Sequence, residues 1–139
     1  WVLQRNSLLE NPDGHTKCHW TTYTTTIGGE NPIIDSQLLF NNYVRVEKTK
    51  SNYFNYLQPL MHCKNTPSDG INCYWFSLFP YEHQPSGTCN FSRLPKVRMQ
   101  FTIDPFYYES GEQYTITVYT LNKNILRIIG GLGNTAYIV

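Results

Sequence analysis

Gly131-Leu132-Gly133-Asn134-Thr135-Ala136 formally matches the dinucleotide-binding pattern G-x-G-x-x-A. That pattern works because its glycines open a helix whose N-terminus holds a pyrophosphate, with an acidic residue further along. Neither a helix nor a second strand follows in the residues at hand, so the match is read as accidental. The glycines are expected to allow a bulge or tight backbone packing in a last strand. Cys89 and His83 could form a nucleophile and base, which requires hydrogen-bond reach and a third group to orient the base. The nearby acid, Glu82, points away from His83 on extended backbone, so Cys89 is read as a buried thiol. Glu109 and Glu112 flank Ser110-Gly111, a solvated turn rather than an acid–base pair.

Zinc needs four ligands in a tetrahedral array. His15-x-x-Cys18 has acceptable spacing, with His19 beside it, but the remaining pair, His62-Cys63, is adjacent and its side chains diverge. The four cysteines, Cys18, Cys63, Cys73 and Cys89, show no C-x-x-C spacing; they are read as reduced thiols and no zinc is expected. Asn90-Phe91-Ser92 fits a glycosylation sequon, which matters only after secretory passage. Trp20, Tyr23 and Trp75 are candidates to stack on sugar rings in a carbohydrate-binding β-sandwich, the alternative reading of function. Catalytic, cofactor-binding and metal-binding residues are therefore each assigned as none.

The composition points the same way. The 139 residues carry 11 Lys and Arg against 10 Asp and Glu, a net charge of +1, which gives no electrostatic case for nucleic acid. Aromatics reach 15% and charged residues only 15%, a balance that favours strands and partly apolar interfaces. No apolar run approaches the ~20 residues of a spanning helix, and nothing resembles a signal peptide. The sequence begins at Trp1 rather than Met and is read as a piece of a longer protein, with one domain over 1–139.

The elements that would position these side chains are strands. Trp1–Gln4 reads as the tail of a strand. Arg5–Pro32 loses periodicity and reads as a long surface loop. Ile33–Lys48 reads as one strand with a bulge at Asn41-Asn42. Asn52–Met61 is the one stretch with helical character, limited by Pro59 to a turn or two. Ile71–Phe79 is apolar at both alternating sets of positions, so it is predicted to be a central strand covered on both faces. Val97–Ile103 alternates cleanly, and Tyr114–Leu121 alternates with Ile116 and Val118 inward. Asp104-Pro105 reads as a turn, and Ile125–Val139 as the last strand. Together these make an all-β sandwich or barrel.

Three segments in order carry a resemblance. His83-Gln84-Pro85-Ser86-Gly87-Thr88-Cys89-Asn90-Phe91-Ser92-Arg93, Tyr53-Phe54-Asn55-Tyr56-Leu57-Gln58-Pro59 with His62, and Asn124-Ile125-Leu126-Arg127-Ile128-Ile129 followed by Gly130-Gly131 resemble the major capsid proteins of nucleocytoplasmic large DNA viruses. The resemblance implies a double jelly-roll fold. This chain would be the incomplete C-terminal jelly roll, strands D to I: Trp1–Gln4 as D, Ile33–Lys48 as E, Ile71–Phe79 as F, Val97–Ile103 as G, Tyr114–Leu121 as H and Ile125–Val139 as I, in sheets ordered B-I-D-G and C-H-E-F. It further implies a structural, non-enzymatic role in an icosahedral virion capsid assembled in the host cytoplasm. The partners would be homotrimeric, pseudo-hexagonal capsomers, neighbouring capsomers and minor capsid proteins, with no direct nucleic acid and no membrane-spanning segment. On that assignment the chain would self-associate through Tyr114–Leu121 and Ile125–Val139.

Overall fold

The structure, a computed structural model, describes residues 1–9, 22–24, 29–109, 111 and 113–137. Strand β1 (Val2–Arg5) leads into a one-turn helix, α1 (Asn6–Leu9). Strands β2 (Ile33–Phe40) and β3 (Tyr43–Lys50) form a hairpin whose loop is Asn41-Asn42, with Phe40 opposite Tyr43. The expected single bulged strand is thus two strands. Both asparagines have positive φ, 51° and 70°, as a two-residue hairpin turn demands, and asparagine tolerates that conformation better than most residues. Register shifts do occur in the β2–β3 pairing on either side of Leu38, with the extra residues on β3.

Residues 51–63 are helical without interruption, longer than the expected turn or two. A π-helical segment, Tyr53–Leu57, passes into α2 (Gln58–Cys63), with the Gln58 amide donating to Tyr53 O. Pro59 falls within the first two positions of α2, where a missing N–H is tolerated. The widened π turn just before it absorbs the change in hydrogen-bond register. Another departure is α3 (Pro105–Glu109), where a simple turn was expected. Asp104 Oδ1 accepts the Phe106 amide at 3.0 Å, so Asp-Pro here is an N-cap followed by a favoured first helical residue.

Strand β4 (Val97–Ile103) matches the expected bounds and pairs antiparallel with β2 from Ile33↔Ile103 to Phe40↔Val97. Strand β5 spans only Tyr114–Thr117 and pairs antiparallel with β1. Ile116 and Val118, expected inward, are both exposed. The expected last strand is a hairpin, β6 (Leu126–Ile129) and β7 (Leu132–Thr135), turning at Gly130-Gly131 with φ of 59° and 80°.

Ile71–Phe79 forms no ladder strand, and its residues are mostly half-buried rather than covered on both faces. It nevertheless lies alongside β1. Trp1 and Asn72 exchange both backbone hydrogen bonds, at 3.0 and 2.6 Å, and the Cys73 amide donates to Phe54 O at 2.9 Å. One rung and one helix contact satisfy its backbone without a continuous ladder.

The two layers are therefore β5–β1–(Ile71–Phe79) and β4–β2–β3. This corrects the strand lettering. Resolving Ile33–Lys50 into two strands moves every later letter on by one: β2 is E, β3 is F, Ile71–Phe79 is G, β4 is H and β5 is I. The layers then read I-D-G and H-E-F, the partial orders of a jelly roll. Trp1 joins them, its ring 5.1 Å from that of Phe54 and 6.0 Å from that of Phe101 in β4. Apart from prolines, the buried apolar side chains among the described residues are Val2, Leu3, Ile33, Leu38 and Phe54, a small core for so many strands.

Candidate assembly surface

Helical spacing divides residues 51–63 between core and solvent. Phe54, Asn55, Gln58 and Pro59 are buried, whereas Tyr56, Leu57, Leu60 and Met61 are exposed. One face supports the sandwich and the other carries large apolar groups into water. Beside it lies the end of the Ile71–Phe79 segment: His62 Nδ1 is 2.9 Å from Leu78 O, and Leu78, Phe79 and Tyr81 are exposed as well. Such a run exceeds the scattered apolar residues normal on a monomer.

The Gln84–Arg93 run is structural in its chemistry. The Phe79 amide donates to Ser86 Oγ at 2.7 Å, and that hydroxyl lies 3.2 Å from Phe79 O. Gly87 has φ +136°, and a Cβ there would sit 3.0 Å from Phe76 O. Asn90 Oδ1 accepts the Ser92 amide at 3.0 Å, capping a 3-10 turn over Phe91–Arg93. Phe91 then packs edge-on against Phe40 and Phe76, 5.8 and 5.4 Å away. Ser, Gly, Asn and Phe are each required to fold the loop back onto β2.

Beneath the helix runs a polar network that sequence reading missed. Gly70 N donates to Asn55 Oδ1 (3.2 Å) and Gly70 O accepts from Asn72 Nδ2 (3.3 Å). Asn72 Oδ1 accepts from Asn31 Nδ2 (3.0 Å), and Asn31 Oδ1 accepts the Ile33 amide (3.0 Å). Three asparagines thereby tie the helix, the Ser68–Gly70 turn, the G segment and the start of β2. Asparagine in a sequence signals a turn; only burial of Asn55 and Asn72, 2% and 1% exposed, reveals the other use.

The C-terminal hairpin contributes a second apolar surface. All eight residues of β6 and β7 are exposed, and no other strand among the described residues pairs with them.

The residues considered for chemistry are dispersed. His83 is exposed and Cys89 half-buried, with no hydrogen bond joining them. Among the described residues no group of three or more His, Cys, Asp or Glu side chains is placed to hold a metal; His15, Cys18, His19 and Trp20 lie outside them. Cys63, Cys73 and Cys89 are free thiols. Cys63 and Cys73 line an open cleft of about 390 Å³ with Pro59, Trp75 and Tyr81. Burial pushes both thiols up from the ordinary value, although a hydrogen bond with Tyr81 partly offsets this at Cys63. That weakens them as nucleophiles. Trp75 is half-buried and edge-on to Tyr81 at 5.7 Å, and Tyr23 is half-buried with its backbone beside Gly70. No helix among the described residues is long and apolar enough to cross a membrane.

Comparison with known proteins agrees with this geometry. Residues 1–134 match the family described as large eukaryotic DNA virus major capsid protein. The chain is 41% identical over 109 residues to a major capsid protein of Phaeocystis pouchetii virus, covering 78% of this chain and 21% of that one. It is 32% identical over 142 residues to probable capsid protein 4 of Acanthamoeba polyphaga mimivirus, covering 99% and 27%. The crystal structure of PBCV-1 VP54, fitted into a reconstruction of the virophage Sputnik, superposes with a TM-score of 0.60 at 26% identity, over 77% of this chain and 30% of that one. The chain thus spans between a fifth and a third of these relatives. Two partial jelly-roll layers, a loop-closing Ser-Gly…Asn-Phe run and a sequence match over almost its full length place this chain in the large eukaryotic DNA virus major capsid protein family.

Proposed function

We propose that the chain is part of a structural subunit of an icosahedral virion capsid, one C-terminal jelly-roll domain over 1–139 whose strands D to I run from β1 to β5. The observation that carries this reading is the pair of partial jelly-roll layers, β5–β1–(Ile71–Phe79) and β4–β2–β3, in a chain whose residues 1–134 match the capsid family. The subunits assemble as trimeric, pseudo-hexagonal capsomers that contact neighbouring capsomers and minor capsid proteins. The role is assembly rather than turnover, and the subunits are put together in the host cytoplasm.

Quantitative mass spectrometry of purified virions tests this. Peptides from the chain should rank with the most abundant virion components, at shell stoichiometry. Their absence, or presence at a few copies per particle, would overturn the reading.

A further inference from the structure

The carbonyl of Phe54 stands at a fork between two helical registers. Phe54 is 2% exposed, so its backbone oxygen needs a partner from the protein. Within a helix a carbonyl accepts from the amide four residues on in the α register, or five residues on in the π register. For Phe54 those positions are Gln58 and Pro59. The Gln58 amide is spent on Tyr53 O, in the π register, and Pro59 has no N–H to give. Phe54 O is left open by its own helix, and the Cys73 amide takes it at 2.9 Å.

Side chains of the same segment brace this arrangement. Gln58 Nε2 donates to Tyr53 Oη at 2.7 Å, bridging the widened turn. Asn55 Oδ1 accepts the Gly70 amide at 3.2 Å and its Nδ2 donates to Ser68 O at 3.4 Å, fixing the turn that leads into Ile71–Phe79. At the far end His62 Nδ1 lies 2.9 Å from Leu78 O; a carbonyl only accepts, so the ring proton is on Nδ1. The helix thus holds Ile71–Phe79 at both ends, where a ladder partner would otherwise do so. Apart from the helix, the Trp1–Asn72 rung is the backbone tie between that segment and β1.

We propose that residues 51–63 are a register-coupled clamp, in which helix register and docking of Ile71–Phe79 form one two-state equilibrium. In the docked state the turn is π and Phe54 O belongs to Cys73. In the released state the turn is α: Gln58 N moves one carbonyl along, takes Phe54 O, and Cys73 loses its acceptor. Pro59 holds the equilibrium on the docked side, because in the α register its ring meets the carbonyl of Asn55 and leaves it unbonded. Tightening the turn by one residue rotates Gln58–Cys63 against the residues before it by about 100°. That swing carries His62 away from Leu78 O and re-aims Leu57, Leu60 and Met61, so docking of the segment sets where the exposed apolar face points. The device is made of contacts within the chain and does not rest on the capsid reading.

Through-hydrogen-bond scalar couplings in the isotopically labelled 139-residue chain read the register directly. The wild type should couple Cys73 N to Phe54 C′ and Gln58 N to Tyr53 C′. Pro59→Ala restores the missing donor and removes the ring, so the Gln58 coupling should move to Phe54 C′. In that variant the Cys73 amide should exchange about tenfold faster or more, His62 should lose its Nδ1–H tautomer, and the β2–β4 amides should be unchanged. Tyr53→Phe removes only the hydroxyl that bridges the turn and should speed Cys73 exchange about three- to tenfold. A Gln58 coupling that stays on Tyr53 in Pro59→Ala, or Cys73 exchange unmoved in either variant, would overturn the proposal. Faster exchange spread equally over β2–β4 would overturn it too, since that is general destabilisation rather than a change of register.

Discussion

Gly70→Ala tests the junction that holds the helix against the sheets. Gly70 is buried with φ +87°, and an added Cβ would lie 1.9 Å from Tyr23 O and 2.5 Å from Tyr23 C. Those are backbone atoms, so no rotamer change relieves the clash. The positive φ costs about 1–2 kcal/mol for a residue with a Cβ, and displacing packed backbone about 1–3 more. If the turn shifts, the bonds from Gly70 N to Asn55 Oδ1 and from Asn72 Nδ2 to Gly70 O go with it, at about 1 kcal/mol each. The sum is about 4–7 kcal/mol, a large fraction of the ~5–15 kcal/mol that holds a domain together. Urea unfolding at fixed chain concentration, followed by circular dichroism, should show a midpoint lower by about 1 M or more, or no native baseline. Gly111→Ala is the internal control: φ is +67° there with nothing within 4 Å of the new Cβ, so it isolates the conformational cost. Equal losses from Gly70→Ala and Gly111→Ala would refute the argument from the Tyr23 contact.

Other outcomes follow from single features. Asn72→Ala removes both ends of a buried relay and strands Gly70 O and Asn31 Nδ2; stability should fall by about 2–4 kcal/mol, with faster exchange of the Ile33 amide held by Asn31. Asn42→Gly should leave the β2–β3 register intact and raise the unfolding midpoint slightly, by up to about 1 kcal/mol, since glycine adopts φ +70° at less cost. Burial raises Cys63 and Cys73, and Tyr81 likewise; Tyr56 is raised chiefly by its hydrogen bond to Asp69. A raised folded value means the unfolded chain loses these protons first. The unfolding midpoint should therefore hold below about pH 8.5 and decline as pH climbs through the raised values.

How much of this was legible depended on whether the signal was local. Val97–Ile103 could be bounded to the residue because Val, Met, Phe and Ile alternate with Arg, Gln and Thr, a period fixed by the pleat alone. Asn41-Asn42 and Gly130-Gly131 carried the right chemistry for two-residue turns, yet each was read as an irregularity within one strand. The misreading of the first shifted every subsequent strand letter. Asp104-Pro105 was a helix start read as a turn, because the five residues of α3 are too few to show a period. Ile71–Phe79 is apolar on both faces, but its cover is one rung to Trp1, the helix and Phe91, contacts that local sequence cannot display. The asparagine relay was invisible for the same reason: Asn55, Asn72 and Asn31 lie far apart along the chain and meet only in the fold. In the His83–Arg93 segment the polar atoms of Ser86 and Asn90 close a loop, a use that the sequence alone did not display.

The most direct measurement is a cryo-electron microscopy reconstruction of the virion at side-chain resolution. The account predicts capsomer density in which this sequence fits with β5–β1–(Ile71–Phe79) in one layer and β4–β2–β3 in the other, three copies to each capsomer. It also predicts that the helix face and the hairpin at Leu126–Leu132 are covered, by the remainder of the subunit or by its neighbours. Shell density that cannot accommodate these two layers, or a fit that leaves both apolar surfaces facing solvent, would contradict it.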